Sequence, residues 1–171
     1  MCIIIDTNSL ASVFNTNSTK HSEFKPVFDW IFKRNGKIVF GGSKYAGELG
    51  KYLGIFGELR RINKAVSIPD AEVDHQEVRV IEELKHTDCN DQHLIGLLIV
   101  SKCKLICSLD KEAYDFFTHP TFFKPARNRP KIYSGKGNSD LLRNLNIAAI
   151  CVPCRNPNNA EKRILEKLFN T

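Results

Sequence analysis

The stretch Cys2-Ile3-Ile4-Ile5-Asp6-Thr7-Asn8 decides how the rest of the chain is read. A short apolar run stopped by a carboxylate reads as a buried parallel strand with its polar end at a sheet edge. A second run, Lys104-Leu105-Ile106-Cys107, ends the same way in Ser108-Leu109-Asp110. In open parallel sheets, ligand sites lie outside the carboxyl ends of the strands. Two strand-end aspartates far apart in sequence can therefore face one crevice.

Outward from these runs, strand and helix patterns alternate. Strands are predicted over residues 2–6, 37–40, 65–68, 104–107, 131–133 and 148–152. Residues 21–34 carry Phe24, Val27, Phe28 and Ile31 at helical spacing, and Pro26, early in that stretch, places the helix start close to itself. Residues 43–63 carry Leu49, Leu53, Phe56 and Leu59, but Gly50, Gly54 and Gly57 predict a break into shorter pieces. Residues 70–86 hold Val78, Ile81 and Leu84 on one face. Residues 90–101 are apolar nearly all round, which predicts a central buried helix. In the last helix, Asn156 is the expected N-cap and Pro157 the first helical residue. The alternation predicts a three-layer α/β/α sandwich around a mainly parallel sheet. A single domain spanning residues 1–171 is expected, with a C-terminal extension after about residue 115.

Composition narrows the function classes. The chain is 42% apolar and 26% charged, as in ordinary globular proteins. No apolar stretch approaches the roughly 20 residues of a membrane span. No basic segment precedes the first apolar run, which is short for a signal peptide, so a cytoplasmic location is expected. The net charge of +6 favours an anionic partner such as nucleic acid. Residues 116–139 contain no acid but include Lys124, Arg127, Arg129, Lys131 and Lys136, interleaved with Phe116, Phe117, Phe122, Phe123 and Tyr133. This segment is expected to border the crevice and hold a substrate backbone. The bland alternative is a solvated basic loop.

Cys2, Cys103 and Cys107 sit in or beside apolar runs, where cysteine behaves as a small hydrophobe. Cys151-Val152-Pro153-Cys154 has the spacing of a redox or zinc pair, but no second ligand pair is visible at suitable spacing. The five histidines show no metal-ligand spacing and are expected at the surface or in loops.

Four acids stand out. Asp6 and Asp110 end strands, Asp91 precedes the apolar helix, and Glu48 lies in Tyr45-Ala46-Gly47-Glu48-Leu49 after the second strand. Each has an ordinary alternative as a cap, turn or solvated residue. Asp88 and Asp115 are rivals ranked lower by their positions. Carboxylates crowded in one crevice stay ionised only when a cation compensates them. Hard oxygen ligands select Mg²⁺ or Mn²⁺. Such a metal can orient water and stabilise charge on a phosphoryl oxygen, which points to phosphodiester hydrolysis.

Four segments in order carry a resemblance: Ile4-Ile5-Asp6-Thr7-Asn8, Tyr45-Ala46-Gly47-Glu48-Leu49, Asn90-Asp91-Gln92-His93-Leu94-Ile95-Gly96-Leu97-Leu98, and Leu105-Ile106-Cys107-Ser108-Leu109-Asp110. Over about the first 115 residues the chain resembles the PIN-domain nucleases. The resemblance implies that Asp6, Glu48, Asp91 and Asp110 hold the metal and are catalytic, with Asn8 or Ser108 assisting. It implies an endonuclease, with single-stranded RNA favoured over DNA, of the kind found among toxin or defence nucleases. The chain departs from the compact toxin members by continuing some 60 residues past Asp110. An inhibitory protein partner or self-association is left open. The competing reading is a non-catalytic module that binds nucleic acid or a protein partner on the same fold.

Overall fold

A computed structural model describes residues 2–143 and 148–169. Five strands form one all-parallel sheet: β1 (Cys2–Ile5), β2 (Lys37–Gly41), β3 (Ala65–Ile68), β4 (Leu105–Cys107) and β5 (Lys131–Tyr133), in the order β3-β2-β1-β4-β5. Register runs Cys2↔Lys37, Ile38↔Ala65, Ile4↔Ile106 and Ile106↔Ile132. All four residues of β1 are fully buried, as are the three of β4, because helices cover both faces of the sheet.

The chain order turns the sheet into a site. From β1 the strands advance through β2 to β3, then return across to β4 on the other side of β1. Right-handed crossovers put the helices of the outward and return connections on opposite faces. The outward connections hold α1 (Leu10–Phe14), α2 (His21–Lys33), α3 (Ser43–Leu49) and α4 (Tyr52–Arg61). The return connection holds α5 (Asp70–Glu83) and α6 (Gln92–Ser101), which pack on each other. The result is the expected three-layer α/β/α sandwich. The reversal of strand order falls between β1 and β4, so the crevice of a parallel sheet opens there.

Aromatic packing closes one face. Phe14 of α1 meets Phe32 of α2, Phe56 of α4 and Phe169 of α8 (Asn159–Phe169), with ring centroids 5.6–6.1 Å apart. These spacings suit edge-on and offset contacts. A short helix, α7 (Tyr114–Phe117), follows β4. Among the described residues, no helix is long and apolar enough to cross a membrane.

Three local expectations are corrected. Residues 148–152 are not a sixth strand: Ala149–Cys151 form a single 3₁₀ turn flanked by extended residues. The apolar run there buries Ala148 and Cys151 without pairing to the sheet. The helix α2 starts at His21, five residues before Pro26. Proline lacks an N–H, but one missing bond near the start of a 13-residue amphipathic helix is tolerated when the buried face is strong. Phe24, Val27 and Ile31 are that face.

The third correction is the cap of α8. Asn158, not Asn156, is the capping residue. Its Oδ1 accepts from Glu161 N at 2.9 Å, and Glu161 Oε2 accepts from Asn158 N at 2.8 Å. This reciprocal pair is a capping box. Arg155 grips the same Glu161 carboxylate with both guanidinium nitrogens, at 2.5 and 2.7 Å, and holds that carboxyl down at about 2.

Candidate active site at the carboxyl edge

Asp6 follows β1 and is 3% exposed. Its backbone N donates to Cys107 O at 2.9 Å, which extends the β1–β4 ladder and fixes the carboxylate at the switch point. Its Oδ2 accepts from Ser108 Oγ at 2.6 Å and from Asn8 Nδ2 at 2.8 Å. Its Oδ1 accepts from Asn8 N at 3.3 Å, capping the 3₁₀ turn Thr7–Ser9. Asn8 and Ser108, expected as assistants, thus clamp Asp6 directly. Burial raises the Asp6 carboxyl above its ordinary range, and Asp110 adds to the rise, against the bonds from Ser108 and Asn8.

Asp110 follows β4 by way of Ser108, whose Oγ accepts from Asp110 N at 3.0 Å. Asp110 Oδ1 accepts from Glu112 N at 2.9 Å. Asp91 occupies the N-cap position of α6, and its carbonyl accepts from Leu94 N and Ile95 N. Its side chain makes no capping bond, so the carboxylate is left free for the crevice. A cleft of about 420 Å³ is lined by Asp91, Asp110 and the rival Asp88, together with Cys89, Glu112 and Phe116. The other rival, Asp115, is exposed on α7.

Glu48 is carried by α3, and the start of that helix is pinned by α5. Gly42 N donates to Asp70 Oδ1, while Ser43 N and Oγ donate to Asp74, all within 2.6–2.9 Å. Gly42 itself turns at φ +93°, and a Cβ there would lie 2.7 Å from Val73 Cγ1. Gly50, at φ +53°, ends α3 and separates it from α4. Glu48 Oε2 accepts from Thr7 Oγ1 at 3.2 Å, tying the helix to the turn that follows Asp6.

The electrostatics join the four acids. The Asp91 carboxyl is raised to about 6, first by burial and then by Asp6, Asp110 and Glu48, with Lys44 opposing. Lys44 lies at the rim, with Nζ donating to Asn90 O at 3.0 Å. The set is all oxygen, mutually repelling and short of cationic compensation, which is chemistry that suits a hard divalent ion. As placed, no three His, Cys, Asp or Glu side chains among the described residues form a group that could hold a metal ion.

The sequence reading missed four neighbours. His93 is 1% exposed, not a surface residue. Its Nε2 lies 3.3 Å from Glu48 Oε2 without forming an aligned hydrogen bond, and its Nδ1 has no partner among the described residues. Burial lowers it to about 4 against the pull of Glu48, so it is neutral at pH 7. His93 lies in the first turn of α6, directly after the cap residue Asp91 and Gln92. Tyr45 is fully buried and donates from its hydroxyl to Ile5 O at 2.5 Å, and Tyr114 donates to Ser108 O at 2.8 Å. Thr7 is the fourth. Thr7, Tyr45 and His93 lie inside the quoted segments, which is the one signal the sequence held for them; Tyr114 lies outside all four.

The basic segment divides. Phe116 lines the acidic cleft. Lys136, past the end of β5, pairs with Glu23 at 3.1 Å. Lys131 begins β5, and its N donates to Lys104 O at the amino end of the sheet. Lys124 lines a separate cleft with Lys102, Cys103 and Lys104, also at the amino end. Arg127 lies within the 3₁₀ turn Ala126–Asn128, between Lys124 and β5, and Arg129 directly follows it. The expectation that residues 116–139 as a block border the acidic crevice is therefore corrected: the segment spans the sheet from one edge to the other.

Comparison of the chain with protein-family models, with characterised proteins and with solved structures gives no match.

Proposed function

We propose that the chain is a metal-dependent nuclease of the PIN type, hydrolysing phosphodiester bonds of single-stranded RNA in preference to DNA. The observation that carries this reading is Asp91, raised to about 6 by burial and by the charges of Asp6, Asp110 and Glu48. Lys44 offsets that repulsion only in part, and Mg²⁺ or Mn²⁺ would remove the rest. Asp6, Glu48, Asp91 and Asp110 would hold the ion, which when bound supplies activation of water and stabilisation of phosphoryl charge. Ser108 and Asn8 fix the Asp6 carboxylate, whose oxygens would otherwise rotate away from the crevice. Thr7 fixes Glu48. Neutral His93 stands behind Glu48 as a buried wall with a free ring nitrogen. Lys44, at the rim, offers a cation to an incoming phosphate.

Incubating labelled single-stranded RNA and DNA with the pure chain, with Mg²⁺, Mn²⁺ or chelator, tests the reading. Cleavage that needs metal and is lost in Asp91→Asn supports it. The second reading is a non-catalytic module that binds nucleic acid or a protein partner on the same fold. Metal-independent RNA binding without cleavage would favour it.

A further inference from the structure

At the opposite edge of the sheet, three buried thiols meet. Cys2 opens β1, and Cys103 lies two residues before β4, the neighbouring parallel strand. Their sulfurs are 3.9 Å apart. Cys151, in the 3₁₀ turn of the C-terminal segment, is near enough to Cys2 to interact with its thiol. All three are 2% exposed or less. Beside them opens a cleft of about 400 Å³, lined by Cys103, Ala148 and Ala149 and by three cations, Lys102, Lys104 and Lys124. Phe122 and Phe123 supply an apolar wall. None of these residues belongs to the acidic crevice.

We propose that Cys103 and Cys2 form a redox-active thiol pair served by this cleft, which admits a small anionic disulfide such as glutathione disulfide. The lysines suit the reagent's carboxylates, and Cys103 is the thiol that lines the cleft. Cys103 sulfur attacks one sulfur of the reagent, forming a mixed disulfide and releasing one glutathione thiol. Cys2 sulfur then attacks Cys103 sulfur, closing the Cys2–Cys103 disulfide and releasing the second glutathione thiol. The two protein thiols are oxidised, their two protons leave on the glutathione products, and the reagent's disulfide is reduced. Cys103 attacks first because it is the thiol that lines the cleft, and Cys2 attacks second because its sulfur lies beside that of Cys103. The two sulfurs, in van der Waals contact at 3.9 Å, must close to about 2 Å to bond.

The experiment uses the full native chain with glutathione disulfide, alkylation of remaining thiols, and non-reducing peptide mapping by mass spectrometry. The expected result is a Cys2–Cys103 cross-link, the loss of two alkylatable thiols and a higher melting temperature. Changing Lys102, Lys104 and Lys124 together to Gln should slow the reaction severalfold with glutathione disulfide and leave it unchanged with a neutral disulfide. A Cys103→Ala chain, checked for folding by circular dichroism, should form no cross-link to Cys2 from the cleft. A glutathione adduct held on Cys154 with Cys2 and Cys103 still reduced would overturn the proposal. So would a cross-link that forms only in denaturant, or a triple Gln variant that reacts at the parental rate.

Discussion

The two edges of one parallel sheet handle charge in opposite ways. At the amino edge, Lys37 and Lys64 are each 2% exposed, and both are satisfied by fixed protein partners. Lys37 Nζ donates to Asn63 Oδ1 at 2.7 Å, and Lys64 Nζ donates to the carbonyls of Arg34 and Arg155, at 2.7 and 3.5 Å. At the carboxyl edge, Asp91 is raised first by burial and then by Asp6, Asp110 and Glu48, with Lys44 opposing the rise. Buried charge that is fully bonded serves the fold, because each removal leaves a partner unpaired. Buried charge left in mutual repulsion costs stability and persists where a ligand relieves it. The difference teaches which edge to assign to chemistry.

Swapping residues between these roles should break the comparison cleanly. Asp6→Asn and Asp91→Asn should reduce metal-dependent RNA cleavage to background while the circular dichroism spectrum stays that of the parent. The apo Asp91→Asn chain should melt higher by about 1–3 °C, because relieving one repulsion is a small gain spread over a chain of this size. An Asp91→Asn chain that is folded and fully active would end the assignment of that edge to catalysis.

The mirror experiment is Lys64→Met. It removes a buried donor and leaves two carbonyls unpaired, so unfolding in denaturant should show a loss of about 1–3 kcal/mol. Cleavage per folded molecule should not change. Loss of activity at unchanged stability would reverse the roles of the two edges.

A pH titration sharpens the same contrast. The folded Asp91 carboxyl sits at about 6 against an ordinary 3.8. Its contribution to stability is therefore fully present below about pH 3.8 and lost as pH rises through about 6. His93 works in the other direction. Its folded value of about 4 lies below the ordinary 6.5, so its contribution is present above pH 6.5 and lost as pH falls through about 4. The difference between parent and Asp91→Asn isolates the first group. The variant's advantage without metal should grow as pH rises from 4 to 7 and vanish near pH 4. A difference that is flat with pH would contradict a repelled Asp91.

The smallest effect is expected from Lys124, Arg127 and Arg129. Three lost phosphate contacts on a single strand would lower the salt slope of binding by about 2. Because Lys124 faces the amino-edge cleft, neutralising all three should change the slope by less than about 1. A change near the full value would extend the substrate path around the sheet.

Much of the fold was legible because β1 and β4 are unbroken apolar runs with a polar stop, and α6 is apolar all round. Strand order was not legible. Only the return from β3 to the far side of β1 puts Asp6 and Asp110 at one switch point, and that is a property of long-range pairing. The run at residues 148–152 misled because burial of Ala148 and Cys151 looks the same in a loop as in a strand. His93 was misplaced because the lack of metal-ligand spacing says nothing of burial, and α6 is buried nearly all round. The basic segment misled for a related reason. Charge composition has no direction, and β5 carries the chain from the amino edge to the carboxyl edge in three residues.

The most direct test of the central claim is cleavage of labelled single-stranded RNA by parent and Asp91→Asn chains side by side, titrated with Mn²⁺ and reversed with chelator. The account predicts metal-dependent cleavage by the parent, none by the variant, and equal folding of both. Equal cleavage by the two chains, or cleavage by the parent that persists in chelator, would contradict it.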